Sequence, residues 1–224
     1  MDMFYISTFD DLLGAIEEYG IVPYFRNSLP GFSIEEHVAP HAWFSDDTEG
    51  VWEWKGPAIQ ASRCAYGKFF EKKAAFVRQD IFEDLANYRR DGYDYEGFFN
   101  DGYASLKDKA LYGLIEAHGP VLSKDLKALG SYRKGGATGF DTCINRLQAQ
   151  CFAVISNFVY QKDRFGREYG WGIAEYATPE QFMGPEFARA VYRCEPAESY
   201  ERLLAHICRI LPAAKTEDVK IFLG

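Results

Sequence analysis

Apolar positions in the first hundred residues follow two rhythms. Between Thr8 and Gly20 they recur at helical spacing, with Thr8 placed to cap the helix and Gly20 to stop it. Ser33-Ile-Glu-Glu36 has the capping-box pattern and predicts a short helix. Residues 51–78 instead show short aromatic and β-branched runs: VWEW, then CAYGKFF and AAFV separated by Glu71-Lys72-Lys73. These predict strands. Residues 81–90 are helical, with Leu85 and Tyr88 on one face, and the Gly- and Asp-rich stretch 91–105 predicts a connection and the best internal boundary.

Beyond that boundary the periodicity sharpens. Ala110, Leu111, Leu114 and Ile115 predict a helix over 107–118, ended by Gly119-Pro120. Ser123 is placed to cap a second helix, SKDLKAL, closed by Gly130. A glycine-rich linker leads to a third helix from about Gly139, with Thr138 as its expected cap. Two strands follow, at about 151–160 and 169–176, joined by QKDRFGRE. Three helices and a hairpin with a basic tip is the order of a winged helix-turn-helix. Thr178-Pro179-Glu180-Gln181 then reads as a capping box, and a longer helix follows Pro196. The expected fold is therefore α+β: an N-terminal α+β portion (1–104), a winged helix-turn-helix module (105–178) and a helical C-terminal extension (179–224).

In the third helix, Phe140, Cys143, Ile144 and Leu147 fall on one arc of about 100° and are expected to face the core. Thr142, Asn145, Arg146 and Ala149 lie opposite, a polar surface suited to a DNA major groove. Arg133 and Lys134, in the glycine-rich linker before the helix, and Lys162, Arg164 and Arg167, in the hairpin loop, are the expected phosphate contacts. Gln148 and Gln150 project about 160° apart around a helix, so they cannot converge on one atom while that segment stays helical.

Composition narrows the classes. The chain has 224 residues, 47% of them hydrophobic, with 18 Phe, 15 Tyr and 4 Trp, ample for a buried core. No run of about 18 apolar residues exists, and the first residues lack the layout of a signal peptide, which predicts a cytoplasmic protein without a membrane partner. Five separated cysteines without a C-x-x-C pair read as small buried residues. Net charge is −8, yet residues 105–178 hold ten Lys/Arg against seven Asp/Glu, a local excess of three positive charges. That is a weak electrostatic footprint for nucleic acid.

Several segments, LKDKALYGLIEAHGP, LSKDLKALG, INRLQ, FGREYGWGIAEYATPE, GVWEWKGPAI and AYGKFF, resemble bacterial proteins classed as AlkZ-related. The resemblance implies a winged-helix part and a DNA-repair or regulatory setting. LQAQ also resembles the Q-x-Q pair of AlkZ-type DNA glycosylases, which excise alkylated bases. There the pair lies near the chain start, whereas here it sits at a helix–strand junction, so Gln148 and Gln150 are read as structural.

Other constellations point to packing more than to chemistry. Trp52 and Trp54 share a face of the expected strand and are read as core, although such rings could stack a flipped base. Trp171 alternates with Tyr169 and Ile173 and is read as packed, with Gly170 and Gly172 allowing a close approach. His37 and His41 are spaced like metal ligands, but Pro40 breaks the helix that such a pair needs. Asp91, Asp94, Glu96 and Asp101 read as a solvated acidic loop, and no metal or cofactor is expected. The leading function is duplex-DNA binding. A base-excising enzyme, whose catalytic group the sequence does not name, and a protein-interaction module are the alternatives.

Overall fold

The computed structural model describes residues 4–44 and 49–224. The chain begins with α1 (Phe9–Tyr19), held by a reciprocal cap between Thr8 and Asp11 and closed by left-handed Gly20. β1 (Ile21–Pro23), α2 (Ile34–His37) and α3 (Pro40–Trp43) follow. The Ser33 hydroxyl donates to the Glu36 carboxylate at 2.6 Å and accepts no helix N–H, so the expected capping box gives way to a side-chain bond between its two residues.

Residues 51–54 are a correction. VWEW opens a helix, α4 (Val51–Ser62), in which the Glu53 carboxylate accepts the Gly50 N–H at 3.0 Å. Trp52 and Trp54 therefore lie on a helix rather than a strand face. Gly56 and Pro57 argue locally against a helix, and tertiary packing overrides them. A Cβ at Gly56 would lie 2.9 Å from Asn157 Oδ1 and 3.3 Å from the Phe158 nitrogen. Only glycine lets the helix lie this close to the strand beneath it.

The strands β2 (Ala65–Phe70) and β3 (Lys73–Val77) form where expected, and β3 pairs with both β1 and β2 in an antiparallel sheet of order β1-β3-β2. α5 (Gln79–Arg90) follows. The expected irregular connection contains a second correction, the short helix α6 (Tyr95–Asn100). Asp94 caps it by accepting the Gly97 N–H at 2.7 Å, and Tyr95 and Phe98 are buried. Asp101 accepts the Tyr93 hydroxyl and Glu96 pairs with Lys109 at 3.2 Å, so three of the four loop carboxylates have structural duties.

Next come α7 (Leu106–His118), β4 (Val121–Leu122), α8 (Ser123–Leu129), α9 (Phe140–Ala149), β5 (Val154–Lys162) and β6 (Glu168–Ala177). The expected side-chain caps at Ser123 and Thr138 do not form: the N-caps are Leu122 and Gly139, the latter at φ +90°. β5 begins at 154, not 151, after a tight turn. The second sheet is antiparallel in the order β4-β6-β5. The chain ends in α10 (Pro179–Met183), whose Thr178–Gln181 capping box is complete, α11 (Pro185–Ala190), α12 (Pro196–Ile210) and α13 (Thr216–Leu223).

Two apolar clusters fill the interior. One joins Leu12, Ile16 and Ile59 to Leu111, Ile144 and Leu147; the other joins Phe70, Phe82 and Leu85 to Phe187, Ile207 and Phe222. Between helices, buried Arg90 donates to the Cys151 carbonyl at 2.7 Å and to Glu180 at 2.6 Å, and lies over the Phe152 ring. Asp84 takes two bonds from Arg202 and one from Ser199, tying α5 to α12. All five cysteines are free, three of them buried. Among the described residues, no helix is long and apolar enough to cross a membrane.

Candidate nucleic-acid interface

α9 buries Phe140, Cys143, Ile144 and Leu147, the arc its periodicity predicts, and leaves Thr142 and Arg146 exposed and Asn145 half-buried. The surface is less cationic than its composition suggests. Arg146 Nη2 lies 2.9 Å from Asp108 Oδ1, a carboxylate 1% exposed on α7. That carboxylate also accepts the Ser105 hydroxyl at 2.6 Å. Burial pushes the Asp108 carboxyl up, but the Ser105 and Arg146 hydrogen bonds outweigh it and hold its pKa below the ordinary carboxylate range. Asp141, on the same surface, sits 3.8 Å from Lys127.

Arg133 and Lys134 are exposed in the loop that enters α9. At the β5–β6 tip Lys162, Arg164 and Arg167 are exposed as expected. Asp163 organises this turn: its carboxylate accepts the Phe165 and Arg167 amides at 2.7 and 3.0 Å and the Arg167 Nε at 3.1 Å. Gly166 takes the φ of +80° that the turn needs. Phe165 is 66% exposed, with the Arg164 and Arg167 guanidinium carbons 4.6 and 5.2 Å from its ring centre.

The hairpin also departs from the pattern its sequence predicts. Val159 pairs with Ile173 and Gln161 with Tyr169, so three β6 residues face one on β5. This bulge re-aims the strand. Trp171 is 74% exposed rather than packed, and Gly170 has a φ of +74° with open space around it instead of a close neighbour. Only Gly172 lies against something, the Tyr160 and Phe158 side chains.

Trp171 and Phe44 stand on a groove of about 990 Å³ between α4 and the hairpin, lined also by Glu49, Glu53, Gln60, Asn157, Phe158 and Lys162. Beside it, Lys55 Nζ lies 4.9 Å from the Trp52 ring centre and 4.5 Å from that of Phe158. It has no hydrogen-bond or ion-pair partner among the described residues. Burial holds its pKa below the ordinary lysine value, although Glu53 acts the other way. No signal in the sequence singles out Lys55 or Glu53, because both belong to a stretch that reads locally as strand. Among the described residues, no group of three or more His, Cys, Asp or Glu could hold a metal. His37 and His41 instead approach the Gly31 and Ser7 carbonyls at 2.8 and 3.3 Å.

The family described as AlkZ related matches residues 6–224, nearly the whole chain. The chain belongs to the AlkZ-related family. No curated protein and no solved structure matches it. In this AlkZ-related chain the two glutamines occupy different environments. Gln148 is buried in α9; its Oε1 accepts the Lys68 N–H of β2 at 3.1 Å and its Nε2 donates to the Ile144 carbonyl at 3.2 Å. Gly67 makes room, since a Cβ there would lie 3.0 Å from Gln148 Oε1. Gln150 is the C-cap of α9, and its buried Oε1 has no partner among the described residues.

Proposed function

We propose that this AlkZ-related chain is a winged-helix protein that binds duplex DNA, in a cytoplasmic DNA-repair or regulatory setting. Residues 105–178 form the reading module, 1–104 its N-terminal α+β portion and 179–224 a helical extension. The observation that carries this reading is the order α7, β4, α8, α9 and then a projecting β5–β6 hairpin, with β4 completing the sheet. In that arrangement α9 enters the major groove, where the Thr142 hydroxyl and the Asn145 amide meet base edges. Arg164 and Arg167 on the hairpin, with Lys162, Arg133 and Lys134, take phosphates. Arg146 contributes less charge than an unpaired arginine, because Asp108 already neutralises it.

The test is an anisotropy titration of a labelled duplex at two salt concentrations. Replacing Arg133, Lys134 and Arg164 with Ala should weaken binding and lower the slope of log K against log salt by roughly 0.9 for each phosphate that the variant no longer neutralises. No binding by the parent protein at about 50 mM salt, well below physiological ionic strength, refutes the reading in favour of a protein-interaction module. A second reading, base excision, is favoured by one observation: the groove beside the hairpin combines two exposed aromatic rings with the Glu53 carboxylate. It requires an unstacked base to enter that groove.

A further inference from the structure

The hairpin tip presents an apolar ring where its turn does not require one. The Gly166 N–H donates to the Asp163 carbonyl at 3.0 Å and the Asp163 N–H to the Arg167 carbonyl at 2.9 Å. Residues 163–166 thus form a closed turn with Arg164 and Phe165 at its apex. Asp163 and Gly166 supply the chemistry of that turn, a side-chain acceptor for the following amides and a left-handed backbone. Neither needs an aromatic neighbour. A single exposed apolar side chain is ordinary on a protein surface, but Phe165 differs in its setting. Trp171 and Phe44 stand on the groove, whereas Phe165 stands at the apex of the turn, its amide pinned by Asp163 at 2.7 Å. The Arg164 and Arg167 guanidinium carbons lie 4.6 and 5.2 Å from its ring centre. Lys162 faces Glu168 across the strands at the base of the tip, so the two arginines are the cations beside the ring.

We infer that Phe165 is a wedge that enters the minor groove of duplex DNA and parts two neighbouring base pairs, with Arg164 and Arg167 neutralising the phosphates on either side. The inference rests on the DNA-binding reading and adds what the hairpin selects. An apolar ring pushed between bases leaves water for the faces of the bases it separates. It makes no base-specific hydrogen bond, so selection comes from what a base step costs to open. Pyrimidine–purine steps such as TA unstack most readily, which makes a deformable step the preferred target. Opening it kinks the duplex. An anionic lipid surface could receive an aromatic ring between two cations as well. The duplex is favoured because β6 pairs with β4, which joins α7 to α8, so the tip belongs to the same body as the helices of the candidate interface.

The experiment uses the full chain and two duplexes of the same composition that differ only in a central TA or AT step, each labelled at both ends. Anisotropy reads affinity, and energy transfer between the ends reads bending. The expected result is severalfold tighter binding to the TA duplex and a bend of at least about 20° in its complex. Phe165→Ala should lose both the preference and the bend but keep the salt slope, since the phosphate contacts are unchanged. Phe165→Leu, still apolar, should keep most of both. Phe165 is 66% exposed, so neither substitution empties the core, and urea unfolding should match the parent. Equal affinity for the two duplexes, a straight duplex in the parent's complex, or an unchanged bend with Phe165→Ala overturns the inference and leaves the DNA-binding reading standing. Phe165-dependent sedimentation with phosphatidylserine vesicles, beside a duplex that stays straight, overturns it in favour of a lipid surface. No binding to either duplex at about 50 mM salt refutes the DNA-binding reading and the inference with it.

Discussion

Asp108→Asn probes how α7 holds α9. Asp108 is 1% exposed and closes the capping box of α7, with Oδ2 accepting the Ser105 amide and hydroxyl at 3.1 and 2.6 Å. Its other oxygen receives Arg146 at 2.9 Å. A helix cap contributes about 1 kcal/mol, and a hydrogen bond to a charged group about 1.5–3 kcal/mol. Arg146 is 43% exposed, so solvent screens the second contribution toward its lower end. Asparagine keeps one acceptor but loses the charge and turns an NH₂ toward another donor. The expected loss is about 2 kcal/mol, against about 1 kcal/mol for Ser105→Ala, which removes only the cap hydroxyl. Urea unfolding followed by tryptophan fluorescence measures both. The pH dependence carries a sign. The folded carboxyl titrates below its unfolded value, so its contribution is complete above the ordinary pKa of about 3.9 and is lost as pH falls through the lower, folded one. Asp108→Asn should remove that part of the acid sensitivity. A variant as stable as the parent, with an unchanged acid limb, would refute the reasoning.

The same substitution frees Arg146, so duplex affinity should rise and the salt slope should steepen by up to about 0.9; anisotropy reads both. Gln148→Ala should cost about 1–3 kcal/mol in urea unfolding, because it strips the Lys68 N–H of its acceptor. Gln150→Ala should cost little, since its buried carbonyl has no partner among the described residues to lose. Glu180→Gln leaves the Arg90 guanidinium, 1% exposed, short of its counter-charge; a loss of about 3 kcal/mol is expected in thermal unfolding. His206 is held below the ordinary histidine pKa chiefly by burial, against the pull of the Tyr19 carbonyl. Its protonation therefore opposes folding: stability should fall as pH drops below about 6.5, and His206→Gln should flatten that limb.

What the chain reveals locally, it reveals well. The caps at Thr8 and Thr178, the buried arc of α9 and the exposed hairpin cations all depend on residues within one or two turns of each other. The misreadings share a cause, which is that distant contacts decide the outcome. VWEW has the look of a strand, yet α4 forms because Gly56 lets it settle on β5, roughly a hundred residues further along the chain. Nothing near Arg146 announces a carboxylate 38 residues upstream. The register shift that turns Trp171 to solvent belongs to the pairing of two strands, not to either strand alone. The groove is illegible in the sequence for the same reason, since α4 and β6 supply its walls from distant parts of the chain.

The central claim is that α9 and the β5–β6 hairpin together contact duplex DNA. Hydrogen–deuterium exchange with and without a saturating duplex tests it most directly. The account predicts slowed exchange across the loop and first turn of α9 at residues 131–142 and the hairpin tip at 162–168, with α12 and α13 unchanged. Protection confined to other surfaces, or none at duplex concentrations that saturate binding, would contradict it.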